Sequence, residues 1–140
     1  MRPMGPIAAI DFGTKRTGVA ITDPLRIVAS GLETVATEQL VPYLKDLCQR
    51  ESVTILVVGE PKQRMGNASA VEEDILKFIA QFSSVCPEVE IHRFDERFTS
   101  KLALRSLIDA GVSRKKRQNK ALIDQISATI ILQDYLKTQS

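Results

Sequence analysis

The sequence predicts an α/β protein built on a mixed five-stranded sheet with helices on both faces. Three observations carry this reading. Short alternating or β-branched runs, broken by Gly and Asp-Pro, fill the chain up to Val35. Val53 to Val58 is a continuous apolar run of the kind a strand covered on both faces requires. Between and after these runs, apolar residues recur at helical spacing.

In chain order, Ile7 to Ile10 is apolar and ends at Asp11, and Thr17-Gly18-Val19-Ala20-Ile21 alternates beyond Phe12-Gly13-Thr14-Lys15-Arg16. Two strands joined by a tight Gly-containing turn fit this pattern. Asp23-Pro24 marks the next turn, and a third strand is expected between Arg26 and Val35, giving an antiparallel meander. Glu38 to Arg50, with Leu40, Val41, Leu44 and Leu47 on one face, reads as a helix with Thr37 as candidate N-cap and Pro42 in its first turn. The strand Val53 to Val58 ends at Gly59, and Glu60 to Ala68 has the composition of an exposed loop. Ser69-Ala70-Val71-Glu72 has the form of a capping box before a helix striped by Ile75, Phe78, Ile79 and Phe82. Glu88 to Phe94 alternates as a strand and delivers Asp95-Glu96 to its end. Ser100 to Ala110 reads as a helix stopped by Gly111, Val112 to Asn119 as a basic loop, and Lys120 to Leu136 as the final helix.

The 140 residues, 44% apolar and 26% charged, are suited to a single domain spanning 1–140. No apolar run approaches the roughly 20 residues of a membrane span, and Met1 to Pro6 lacks the apolar stretch of a signal peptide, so a cytoplasmic protein without membrane contact is expected. Cys48 and Cys86 lack the short spacing of a zinc or redox pair and read as buried small apolar residues. A single histidine, His92, excludes mechanisms built on paired histidines. Carboxylates must carry any catalysis. The net charge is only +2, but Arg93 to Lys120 holds nine Lys or Arg against three Asp or Glu, a local +6 that leaves −4 for the rest. One basic face able to neutralise phosphates is the implication.

Three acidic positions stand out. Asp11 ends a buried strand beside Gly13 and Thr14, although turn stabilisation by its own side chain is the commoner role of such an Asp. Asp95 and Glu96 end another strand, and because strand side chains alternate, only one of them can share a face with Asp11. Asp124 lies on the final helix in line with Ala121, Ala128, Ile131 and Tyr135, where a buried, unpaired carboxylate would carry a penalty of about several kcal/mol. Asp134, beside Lys137, reads as solvated. Acids on two strand ends and a helix suit a divalent-metal site for phosphoryl chemistry, since Mg²⁺ prefers oxygen ligands and takes one or two carboxylates plus phosphate oxygens. The loop Arg114-Lys115-Lys116-Arg117 with Lys120 would track a phosphate backbone. Its lack of aromatics argues against base stacking there.

These residues, in this order, resemble the YqgF or RuvX-like family, named for Holliday junction resolution and for pre-16S ribosomal RNA cleavage. The resemblance rests on Asp11-Phe12-Gly13-Thr14-Lys15-Arg16-Thr17-Gly18-Val19-Ala20, on Val57-Val58-Gly59 with Pro61, on Asp95-Glu96-Arg97-Phe98-Thr99-Ser100, and on Asp124 with Ala128 and Ile131-Leu132. It covers nearly the whole chain. It implies an RNase H-like fold and a nuclease whose acidic site is Asp11, Glu96 and Asp124, with Asp95 as a further candidate and Mg²⁺ or Mn²⁺ as cofactor. Lys15, Arg16 and Arg97, with the basic loop, would meet nucleic acid, either branched DNA or pre-ribosomal RNA. The chain departs from the family at Glu60-Pro61, at Met65 before Gly66 and at Ser127. A monomer would suffice for trimming RNA, whereas a symmetric junction favours a homodimer. Asp-x-Gly-Thr with a hairpin also resembles the phosphate loop of the actin-like ATPases and phosphotransferases, which a single domain could match only by pairing. A non-catalytic nucleic-acid-binding factor is the third class.

Overall fold

The computed structural model describes residues 5–61, 69–95 and 120–139. Strands β1 (Ile7–Asp11), β2 (Arg16–Thr22) and β3 (Ala29–Ala36) form the antiparallel meander. A 3-10 turn at Thr37–Gln39 leads into α1 (Leu40–Glu51), followed by β4 (Ile55–Glu60), α2 (Ser69–Val85), β5 (Glu90–Asp95) and α3 (Lys120–Thr138). The sheet order is β3-β2-β1-β4-β5, with β1, β4 and β5 mutually parallel. The mixed five-stranded sheet is therefore present as the sequence predicts. The predicted helix at Ser100 to Ala110, its Gly111 stop, the basic loop and most of the loop after Glu60 lie outside the described residues.

Alternation along the strands sorts the core into two layers. Ala8, Ile10, Val19, Leu56 and Val58 meet Leu40, Leu44 and Leu47 of α1 and Ile75, Phe78 and Phe82 of α2. On the other face, Ile7, Ala9, Ala20 and Val57 meet Ala128, Ile131, Leu132 and Tyr135 of α3. Small residues at Ala9 and Ala20 let α3 lie close to the central strands. Among the described residues no helix is long and apolar enough to cross a membrane.

Several local expectations differ from the structure. Thr37 does not cap α1: the residue preceding the helix is Gln39, and Thr37 directs its hydroxyl elsewhere. Pro42 sits in the first turn of α1, where its missing N–H is harmless. The fourth strand starts at Ile55 rather than Val53, because Ser52 adopts a left-handed conformation (φ 59°) and the Val53 N–H turns back to the Cys48 carbonyl at 3.0 Å. Asp134 is buried at 8% exposure instead of solvated, with Lys137 Nζ at 3.7 Å from its carboxylate. Cys48 and Cys86 are buried and unpaired, as predicted, and burial pushes the Cys48 thiol up to about 12.

Candidate active site

Asp11 closes β1, and the four residues that follow turn the chain into β2. Gly13 is required there, since a Cβ at that position would lie 2.3 Å from the Arg16 carbonyl oxygen. A ring of side-chain and backbone hydrogen bonds fixes the turn. Thr37 Oγ1 donates to the Gly13 carbonyl at 2.6 Å, so the 2.9 Å contact between the two threonine hydroxyls is a donation from Thr17 to Thr37. Thr17 Oγ1 in turn accepts from the Gly13 N–H at 3.5 Å, and the Thr37 N–H donates to the Lys15 carbonyl. Thr17 is fully buried. The sequence reading missed both threonines; a hydroxyl at an inward position of an apolar strand is the signal that identifies Thr17.

Asp11 pairs with Gly18 across the hairpin, and Gly18 pairs with Thr34 on its other side. A Cβ on Gly18 would sit 1.9 Å from the Asp124 carbonyl oxygen. The first turns of α3 therefore rest directly on the Gly18 backbone, and Thr34 Oγ1 donates to the Ala121 carbonyl beside it. Paired strand residues present their side chains to the same face, so Asp11 and Asp124 lie on one side of the sheet, Asp11 on β1 and Asp124 over the neighbouring β2. An isolated Gly inside a strand pattern marks such a close approach.

Asp124 is not the buried, unpaired acid that its helical neighbours suggested. Its side chain is 25% exposed and accepts from Arg16 Nε at 3.0 Å. Solvent and Arg16, the opening residue of β2, both reach it. Arg16 and Lys15 are exposed.

Asp95 occupies the opposite face. Val57 pairs with His92 and Gly59 with Phe94, and both aromatic rings contact Tyr135 of α3; Asp95, paired with Glu60, therefore falls on the α1/α2 side. Its neighbour Arg93 donates to both carboxylate oxygens of Glu72 at 2.9 Å and to the Val58 and Gly59 carbonyls. This links the start of α2 to the end of β4. Ser69's side chain lies outside the described residues, as do Glu96, Arg97, Arg114, Lys115, Lys116 and Arg117; Lys120 opens α3, with its side chain likewise outside them.

Among the described residues no three His, Cys, Asp or Glu side chains gather closely enough to hold a metal ion. Asp11 and Asp124 supply hard oxygen donors on one face, which suits Mg²⁺ or Mn²⁺ and not a soft thiolate-seeking metal.

Comparison with known proteins gives consistent relatives. The chain is 52% identical over 133 residues to a Flavobacterium psychrophilum protein, covering 95% of this chain and 97% of that one. It is 45% identical over 136 residues to one from Bacteroides fragilis, covering 97% and 99%. Both bear the name "Putative pre-16S rRNA nuclease". Among solved structures, T. thermophilus RuvC in complex with a Holliday junction substrate superposes with a TM-score of 0.60 at 14% identity, covering 96% of this chain and 95% of that one. The Fowlpox virus resolvase with Holliday junction DNA gives 0.53 at 12%, covering 96% and 98%. These likenesses show the fold, which is RNase H-like. Residues 5–138 match the family described as RuvX: Holliday junction resolvase, and the chain belongs to that family.

Proposed function

We infer that this protein hydrolyses phosphodiester bonds of nucleic acid, at a site where Asp11, Glu96 and Asp124 hold Mg²⁺ or Mn²⁺. The observation that carries the reading is the seating of α3 on Gly18 beside Asp11, which brings acids from both ends of the chain to one face. Asp95 lies on the other face, so alternation favours Glu96 as the middle acid. When bound, the metal activates the attacking water and stabilises the leaving oxygen. Asp11 is carried by a strand and the braced turn after it, and Asp124 by the helix resting on Gly18, so both backbones are fixed before a substrate arrives, and Arg16 must release the Asp124 carboxylate for a metal to take it. Arg16, Lys15 and Arg97, with Arg114, Lys115, Lys116, Arg117 and Lys120, neutralise phosphates and set the strand in place. The substrate class follows the relatives' names, pre-16S ribosomal RNA or a Holliday junction; on the RNA the cut is placed near the 5′ end by this reading alone. Cleavage of both substrates side by side, with Mg²⁺ or Mn²⁺ and with EDTA, tests the reading. Metal-dependent cutting of either one, absent in Asp11→Asn, is expected; cutting that survives both EDTA and Asp11→Asn would refute it.

A further inference from the structure

On the α1/α2 side of the sheet, one residue beyond Asp11, a crevice of about 400 Å³ opens between the β1–β2 turn, the start of α1 and the exposed side of α2. Strand alternation turns Phe12 to the face opposite Asp11, and Phe12 packs on the α1/α2 layer, so the crevice meets the proposed site around the end of the sheet. We propose that it is a subsite for an unpaired nucleobase carrying an exocyclic amine, on the strand that flanks the phosphate being cut. This rests on the nuclease reading above.

The lining fits that ligand in three respects. Phe12 leans on Phe78 with ring centroids 5.9 Å apart, giving a partly open apolar wall against which a planar ring can lie. Among the described residues, the lining carries two acids, Glu38 and Asp74, against one cation, Lys77, with Gln81 alongside. A surplus of negative charge disfavours a phosphate there and favours a neutral group that donates hydrogen bonds. Exocyclic amines of cytosine, adenine or guanine donate, whereas uracil and thymine turn carbonyl oxygens towards the same carboxylates. The crevice is also braced, because Thr37 at its edge is tied to Gly13 and to Thr17. A preformed wall lowers the ordering cost of binding a base that is already unpaired.

The test uses the full chain. Cleavage products made by the unsubstituted protein with Mg²⁺ locate the cut, and binding is then measured by fluorescence anisotropy with the Asp11→Asn protein, which binds without cutting. Oligonucleotides carry a single abasic nucleotide, or a cytosine-to-uracil or cytosine-to-thymine replacement, at each position flanking the cut. One flanking position should show a loss of affinity of about tenfold on abasic replacement and a smaller loss on uracil or thymine replacement. Adding Glu38→Gln and Asp74→Asn, both on helical or turn surface, should erase the discrimination among bases while most of the abasic penalty persists. Uniform affinity at every flanking position, or discrimination unchanged by the two amide substitutions, would overturn the subsite and leave the nuclease standing. Failure to cut or bind any substrate would overturn both.

Discussion

Arg16 donates to Asp124 at 3.0 Å with both side chains partly open to solvent, and the charges involved give its removal two effects of opposite sign. The guanidinium competes with any cation for the Asp124 carboxylate, so Arg16→Ala should tighten Mn²⁺ binding by on the order of tenfold while weakening affinity for nucleic acid. Titration calorimetry with Mn²⁺ alone, and anisotropy with an oligonucleotide, separate the two. Stability should change little, by about 0–1 kcal/mol, because the pair is solvent-screened. At the other end of the hairpin, the Asp23 carboxylate accepts from the N–H groups of Val28, Ile27 and Leu25 at 2.7, 2.8 and 3.1 Å. The Val28 bond leads the effects that hold its carboxyl below its ordinary value of 3.8. A depressed carboxyl stabilises the fold above its unfolded value and loses that contribution as pH falls through its folded value. Melting temperature followed below pH about 4 should therefore decline less steeply in Asp23→Asn than in the unsubstituted protein.

The contact of α3 with β2 makes an element-level prediction. Gly18→Ala places a methyl group 1.9 Å from the Asp124 carbonyl oxygen, which forces the start of the helix away from the sheet. A destabilisation of about 1–3 kcal/mol in urea unfolding is expected, together with loss of cleavage by protein that remains folded, because Asp124 moves with its backbone. Sequence patterns made the elements legible but not their junctions. Val53 looks like strand because it is apolar and buried, yet its burial comes from the left-handed end of α1 rather than from pairing. The helical spacing put Asp124 on the same face as Ala128 and Ile131, which the structure reproduces. Its exposure was unreadable, since that depends on where the helix start sits on the sheet and on an arginine 108 residues away. Thr37 has the composition of a cap, and only its placement against Gly13 reveals the brace. Whether Asp95 shares a face with Asp11 depends on strand order and register, which no local pattern contains.

Across the whole molecule, the parallel strands β1, β4 and β5 end at one edge of the sheet, and the start of β2, the end of β3 and the first turn of α3 reach the same edge. The basic run from Arg114 to Lys120 leads into α3, whose first residue is Lys120, so nucleic-acid affinity should fall with salt at a slope of about 0.7–0.9 per phosphate contacted. Replacing Lys115 and Lys116 by Ala should flatten that slope equally for all sequences, as read from titrations at three salt concentrations; an unchanged slope would place the phosphate contacts elsewhere. The central claim is that Asp11 and Asp124, distant in sequence, serve one metal site. Its most direct measurement is Mn²⁺ binding by electron paramagnetic resonance to the unsubstituted protein, Asp11→Asn and Asp124→Asn, with folding verified by circular dichroism. Each single substitution should weaken Mn²⁺ binding by on the order of tenfold or more and abolish cleavage in folded protein. Undiminished Mn²⁺ binding in both variants, with cleavage retained, would contradict the account.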